Sequence, residues 1–376
     1  MAERGGAGRE IHLVGTIGAF GLLEASGGPL GGRGRTTLGM LSTAAEVRAS
    51  LAMLAIYPLP VEEPAILPVH APAATATVML ANGQRLPLEG LLPRELHELQ
   101  WEQEQKFARA ILAYPKGSQQ RSLITGQAYD TICTILAAQH AGVGEPLVMG
   151  LDPKYVQLVL RLLNDQVRRG VGQPRLFEVG YGCGALLDEV RGYGFGIGGI
   201  EVSSMMRDQA VETLGERHAA SLLLGDLRSA TAESLAGRPT LIYWNDVFEH
   251  IPPDEIDDYL SHLYGLLAPG GSLVTITPHW LLRPSDVTGD FCPLRTEARG
   301  FHFKEYQLAE VTRLLKRAGF RRVATPLFTT HHRLVMCGGG GRLAKQLLER
   351  QLDRLPVRLA HLLCRGLAMS CTVAEK

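Results

Sequence analysis

The sequence predicts an α/β chain built on a doubly wound, mostly parallel sheet, and three observations predict it. From Arg175 onward, apolar runs alternate with amphipathic helical patterns, the signature of strands joined by crossover helices. The run Leu176-Phe177-Glu178-Val179 is followed by glycines at alternate positions, Gly180, Gly182 and Gly184, and then by the helical stretch 185–190. That is a strand, a tight turn whose glycines tolerate positive φ, and a helix N-terminus open to a ligand. Finally, Glu201 and Asp226 close the next two apolar runs, on the edge of the sheet where such folds bind their ligands.

Strands are expected at 175–180, 195–200, 221–225, 240–245 and 272–278, with two more from 321–337 and 370–375, making a seven-stranded sheet. Helices are expected at 184–191, 204–217, 253–268 and 304–318. The last buries Leu308, Val311, Leu315 and Ala318 and is closed by Gly319.

Ahead of this sheet domain (173–376), residues 1–92 read as a small accessory module rich in Gly, Ala and Pro. It holds a short helix at 43–54 and a hairpin in which Asn82-Gly83 joins two apolar runs. The glycines Gly15, Gly18 and Gly21 have no helical pattern after them, so they make a poor phosphate loop. The stretch 11–23, behind Arg4 and Arg9, is broken by His12, Thr16 and three glycines; it reads as a strand or loop in preference to a signal peptide. Residues 93–172 form a helical bridging segment: a stripe through Leu96, Leu99, Phe107 and Ile111, a second helix after Ser118, and a third opened by Asp152-Pro153. The aromatics Trp101, Tyr114 and Tyr129 on these helices are assigned to the core rather than to a pocket.

Composition narrows the function classes. Lys+Arg and Asp+Glu both number 38 in 376 residues, so no net field favours nucleic acid or an anionic membrane. The six cysteines (Cys133, Cys183, Cys292, Cys337, Cys364, Cys371) include no C-x-x-C pair. The pattern argues against a disulfide framework or zinc site, so no metal is expected, and for a reducing, cytoplasmic setting. No apolar run is long enough to span a bilayer.

The glycine spacing leaves the ligand open by itself, and the acids around it narrow the choice. A dinucleotide fingerprint is G-x-G-x-x-G, with a pyrophosphate on the helix N-terminus. Here the spacing is G-x-G-x-G, and Glu178 just ahead of it would repel a phosphate and attract a cation. Glu178 through Gly184 resembles the first motif of class I S-adenosylmethionine-dependent methyltransferases. The segment 241–251 resembles their fourth strand and its loop, and Leu266-Leu267-Ala268-Pro269-Gly270-Gly271 resembles their turn before the fifth strand. Over 173–376 the chain is similar to a bacterial subgroup of unassigned substrate. The resemblance implies a Rossmann-like sheet, S-adenosylmethionine as cofactor, and Gly180, Gly182 and Gly184 along its methionine part. It further implies Glu201 on the ribose, Asp226 on the adenine amino group and Leu227 against the ring, with Val202 and Asn245 completing the contacts.

Methyl transfer then needs in-line placement of a small-molecule acceptor and removal of its proton. His250, His279 and His302, all expected on one rim of the sheet, are the candidate bases, His279 and His302 ahead of His250. Asp246 and Asp286 come second, Asp286 as a helix cap. The helical insert at about 342–366 interleaves leucines with arginines around Pro356. It fits a helix pair packed on the sheet or across a homodimer in preference to a surface lying on a membrane. Two rivals stand against the methyltransferase reading: a cofactor-binding but inactive scaffold, and a nicotinamide-dependent oxidoreductase.

Overall fold

The computed structural model describes residues 76–142, 151–235, 237–328 and 334–376, which lie within one compact unit, 66–376. The helix expected at 43–54, the 11–23 stretch and Gly15, Gly18 and Gly21 lie outside the described residues.

The chain begins with an antiparallel hairpin, β1 (Thr77–Met79) and β2 (Arg85–Pro87), whose turn places Gly83 at φ +80°. Two long helices follow, α1 (Pro93–Ala113) and α2 (Gln119–Gly142). They share one core with the hairpin: Val78 and Leu88 pack with Leu96, Phe107, Ile111, Ala128, Ile132 and Ile135. Packing therefore runs across the 92/93 division expected from composition. Helix α3 (Pro153–Arg168), capped by Asp152, packs elsewhere, burying Leu158, Val159 and Leu163 on the main sheet. It too crosses an expected division, at 172/173, because its apolar stripe has the sheet as its partner.

That sheet takes β3 (Arg175–Val179), β4 (Gly196–Glu201), β5 (Leu222–Leu224), β6 (Leu241–Asn245), β7 (Ser272–Ile276), β8 (Arg322–Phe328), β9 (Leu334–Cys337) and β10 (Cys371–Glu375), in the order β5-β4-β3-β6-β7-β10-β8-β9. Strands β3 to β7 pair in parallel, and β10 runs antiparallel to both β7 and β8. The sheet has eight strands rather than seven because 321–337 forms two antiparallel strands, β8 and β9, not one. In the sequence the polar run Thr329-Thr330-His331-His332-Arg333 separates the two apolar stretches.

Helices cover both faces, each by an apolar stripe. Helices α4 (Ala185–Gly192) and α5 (Ser204–Leu214) join α3 on one face, through Leu186, Leu187, Val190, Ala210 and Leu214. On the other, α6 (Ile256–Leu266) and α7 (Leu308–Arg317) bury Leu260, Leu263, Val311 and Leu315 against Phe177, Ile242 and Trp244. The insert is a pair, α8 (Gly339–Leu352) and α9 (Val357–Gly366), and it buries Leu352, Ala360 and Cys364 with Leu281 and Met369. Leu343, Leu347, Leu359 and Leu362 stay exposed. No helix among the described residues is long and apolar enough to cross a membrane. The strand order reverses between β3 and β6, which opens a crevice at their carboxyl ends.

Candidate active site

At the carboxyl end of β3 the chain makes the turn that the glycines allow. Gly180, Gly182 and Gly184 all have left-handed φ, at +71°, +51° and +78°. At Gly180 the space is also taken, since a Cβ there would lie 2.6 Å from Val247 Cγ2, on the loop after β6. Beneath the turn, Glu178 is 4% exposed and its Oε2 has no hydrogen-bond partner. Burial, with the Glu201 charge added, pushes its carboxyl well above the ordinary range. A buried, unpartnered carboxylate oxygen beside a glycine cradle fits a cationic amino group. These residues therefore suit S-adenosylmethionine, whose methionine part carries an ammonium and a sulfonium.

The two acids beyond it differ in what the protein asks of them. Glu201 accepts the N–H groups of Val202 (2.7 Å), Ser203 (3.1 Å) and Gly182 (3.0 Å). Those bonds orient the carboxylate and leave lone-pair capacity for a ribose hydroxyl. Asp226 has none left. It accepts from Arg228 N (2.8 Å) and Nε (2.9 Å), from Ser122 Oγ (2.8 Å) and from Tyr259 OH (3.1 Å), and the Arg228 terminal nitrogen closes the set. Burial works against the charge, but Arg228 outweighs it and holds the carboxyl below its usual value. The adenine role expected of Asp226 therefore meets a carboxylate saturated by its own neighbours. Leu227 beside it is buried in the core, and Asn245 ends β6 with its side-chain amide on Asp246 (3.0 Å).

Helix α2 lies over this corner, through residues that the sequence reading passed by. Ser122 bonds Asp226; a Cβ on Gly126 would come 3.6 Å from the Val202 carbonyl; Asp130 accepts from Ser203 Oγ (2.8 Å) and Ser204 N (2.7 Å). The three are spaced by four, one stripe of small and polar side chains down a single helix face. That spacing was the available signal. The apolar stripe on the opposite side hid it.

The loop after β6 carries the second half of the site. Asp246 takes φ +52°, a left-handed conformation that aspartate tolerates better than most, and Val247 reaches back onto Gly180. Glu249 follows, fully buried, with Oε2 accepting from Thr277 Oγ1 (2.9 Å) and Oε1 without a partner. His250 and His302 pack edge to face with centroids 4.7 Å apart. Tyr129 of α2 lies against His250 and Phe301, so its burial is at the site and not merely in the helical core.

Burial pushes the Glu249 carboxyl up to about 8. Burial opposes the charged form of His302 as well, but its bond to Glu305 and the Glu249 charge outweigh that and bring it up to about 9. His250, desolvated and facing His302, is pushed well below its ordinary value. Glu104 of α1, which no motif announced, is buried with Gln100 and the Phe301 N–H on its carboxylate, and burial brings it up to about 7.

His279 does not join its two fellow candidates. It is 1% exposed and caps the helical turn 280–282, with Nδ1 accepting from Leu281 N (3.2 Å). Its Nε2 meets Glu349 Oε1 at 2.5 Å, and the same carboxylate accepts the Leu308 (2.6 Å) and Ala309 (3.2 Å) N–H groups that open α7. Both ring nitrogens are thereby committed to tying α8 to α7 and the β7 end. Asp286 is a cap, accepting from Thr288 N (3.0 Å) and Gly300 N (3.0 Å).

A glycine-cradled corner at the topological switch point, with a buried acid beneath it and a second acid ending the next strand, is the arrangement with which Rossmann-like folds bind nucleosides. Residues 150–325 match a family model described as a methyltransferase domain. The match spans a little under half of the chain and likens this region to methyltransferase domains; the buried acid and glycine cradle of the corner fit S-adenosylmethionine. Solved structures similar to the chain include magnesium protoporphyrin IX methyltransferase from Synechocystis with bound S-adenosylhomocysteine (18% identity, 62% of this chain and 91% of that one, TM-score 0.36). An S-adenosylmethionine-dependent methyltransferase from Archaeoglobus fulgidus (17%, 59% and 94%, 0.35) is another. An amino pentose methyltransferase from Micromonospora echinaspora also matches (22%, 37% and 54%, 0.28). These likenesses are too loose to carry a substrate across. No curated protein matches the chain in sequence.

Proposed function

We propose that this chain is an S-adenosylmethionine-dependent methyltransferase that transfers the cofactor's methyl group to an oxygen or nitrogen of a small-molecule acceptor, a secondary metabolite or sugar. The acceptor's reactive atom would lie between the glycine corner and the group formed by Glu249, His250 and His302. One observation carries the reading: Val247 touches the Gly180 turn, and two residues later the same loop delivers Glu249, a buried acid with an unpartnered oxygen. Cofactor and acceptor ends are thus tied by one short segment.

In this reading Glu178 takes the methionine ammonium, Gly180, Gly182 and Gly184 line the methionine chain, and Glu201 takes the ribose. Val202, Leu227 and Asn245 border the adenosine, while Asp226 shapes its floor through Arg228 and Ser122 without touching the base. The sulfonium already makes the methyl electrophilic. The chain's own work is to hold an acceptor lone pair in line with the S–CH3 bond and exclude water with α2. The acceptor–CH3 bond forms as the S–CH3 bond breaks; the electron pair stays on sulfur, and the acceptor's proton leaves toward the histidine-and-carboxylate group.

Release of S-adenosylhomocysteine, measured against a panel of hydroxyl- and amine-bearing small acceptors, tests the proposal. Turnover with one class, lost on Glu201→Ala, is the expected result. Cofactor binding with no turnover on any acceptor would leave the scaffold reading instead, and binding of NADH alone would favour the oxidoreductase.

A further inference from the structure

We propose that Glu249, His250 and His302 form a site for a divalent transition-metal ion. No ligand spacing along the chain announces it, because the fold draws its members from the loop after β6 and from the segment ahead of α7. The three ligand atoms lie within 4.8 Å of one another. Nε2 of His250 is 4.0 Å from Glu249 Oε1, and Nε2 of His302 is 3.9 Å from the same oxygen.

The outer partners argue more strongly than the distances. Histidines that ligate a metal through one nitrogen characteristically donate the other N–H to a carbonyl or carboxylate, which fixes tautomer and ring direction. Both rings do this. His250 Nδ1 lies 3.0 Å from the Phe301 carbonyl oxygen, and His302 Nδ1 lies 3.2 Å from Glu305 Oε1. With the Nδ1 protons held, both Nε2 atoms face Glu249, whose Oε2 is fixed by Thr277 and whose Oε1 has no donor. A buried carboxylate oxygen left unpaired is costly, and a cation is its natural complement.

Metal–ligand bonds of about 2.0–2.1 Å in a tetrahedral site put ligand atoms roughly 3.3 Å apart. Each histidine nitrogen needs to close on Glu249 Oε1 by roughly 0.6 Å to reach that, and the two histidine nitrogens, at most 4.8 Å apart, by no more than about 1.5 Å, through side-chain torsions. The His250 side chain is 18% exposed and gives the ion its approach from solvent.

Two imidazoles and one carboxylate suit Zn2+, Co2+ or Fe2+ over Mg2+ or Ca2+, which favour oxygen ligands. Three protein ligands leave coordination positions open. The catalytic consequence rests on the methyl-transfer reading: with the ion bound, an acceptor hydroxyl at an open position would give its proton to solvent in place of the ligating side chains, and the resulting oxyanion would attack the methyl group. Occupancy of the site does not rest on that reading.

The test is a Co2+ titration of the chelator-treated full chain, read by visible d–d absorption and by thermal upshift. Wild type should bind one equivalent more than Glu249→Gln or His302→Ala, and Glu305→Gln should bind that equivalent about 10- to 100-fold more weakly. His250→Asn, altering the least buried of the three ligands, serves if the other variants fail to fold. Equal Co2+ binding by wild type and folded variants overturns the site. A difference band with an unchanged rate in chelated enzyme establishes the site and overturns its catalytic role. A difference band with no acceptor methylated counts against the methyl-transfer proposal alone.

Discussion

Replacing Glu178 by Gln removes a charge while keeping the shape, and its two consequences have opposite signs. In the free protein the Glu178 carboxyl is buried, its Oε2 is unpartnered, and burial raises its pKa well above 4.5. A folded-state pKa raised above the unfolded one means that the folded chain holds the proton more tightly. The stability this gives is fully present below about pH 4.5 and is lost as pH rises toward the folded value. Glutamine does not titrate. Glu178→Gln should therefore be more stable than wild type at neutral pH, by up to about 1.4 kcal/mol for each pH unit between the two pKa values. Binding should move the other way. A cationic ammonium favours the ionised carboxylate, so wild-type affinity for S-adenosylmethionine should rise with pH through that same window and level off above it. A hydrogen bond to a charged group contributes about 1.5–3 kcal/mol, so the variant should bind roughly 10- to 150-fold more weakly. Its affinity should also be nearly independent of pH. Calorimetric titration at several pH values, with thermal denaturation of the unliganded proteins alongside, reads both. A variant that binds as well as wild type, or that melts lower, would refute the assignment of Glu178 to the ammonium.

Gly180→Ala should abolish cofactor binding, because the new Cβ meets Val247 Cγ2 at 2.6 Å from a residue at φ +71°; Val247→Ala added to it should restore part of the affinity, checked by the double-mutant cycle. Asp226→Asn should cost about 1.5–3 kcal/mol of stability at neutral pH through its weakened hold on Arg228, Ser122 and Tyr259. The lowered Asp226 pKa makes that wild-type contribution one that is present above pH 3.8 and lost as pH falls further, so the two denaturation curves should converge in acid. Its effect on cofactor affinity should be smaller than that of Glu201→Ala. His279→Ala should lower the melting temperature by removing a buried hydrogen bond to the Glu349 carboxylate, at about 1.5–3 kcal/mol, while kcat measured below the new transition stays within about threefold of wild type, since both nitrogens serve Leu281 and Glu349.

The glycine corner was readable because every feature of it is local. A strand, three positive-φ glycines and a helix start run consecutively from Arg175 to Ala185, and strand ends place Glu201 and Asp226 within reach by topology alone. What topology does not specify is how much of a carboxylate's hydrogen-bonding capacity remains. Glu201 keeps some; Asp226 spends all of it on Arg228, two residues away, and on Ser122 and Tyr259 from distant helices. The eighth strand was missed for a related reason. A single apolar stretch and a hairpin interrupted by polar residues differ only in pairing, which the linear pattern does not record.

The histidines separate the legible from the illegible most sharply. All three follow strand ends or lie near them, and position along the chain treats them alike. Their second nitrogens do not. His279 has its other nitrogen on Glu349, a residue of the insert, so it is held from both sides and left with nothing to offer a substrate. His250 and His302 are each held from one side only, by a backbone carbonyl and by a carboxylate three residues on. One-sided anchoring leaves the opposite nitrogen directed at whatever fills the space beside it, and here that space is shared with the unpartnered oxygen of Glu249. A histidine anchored at both nitrogens is a strut, and one anchored at a single nitrogen is a pointed ligand. The distinction depends on tertiary partners from 301, 305 and 349, which is why residue type and spacing ranked His279 above His250 and the fold reverses that order.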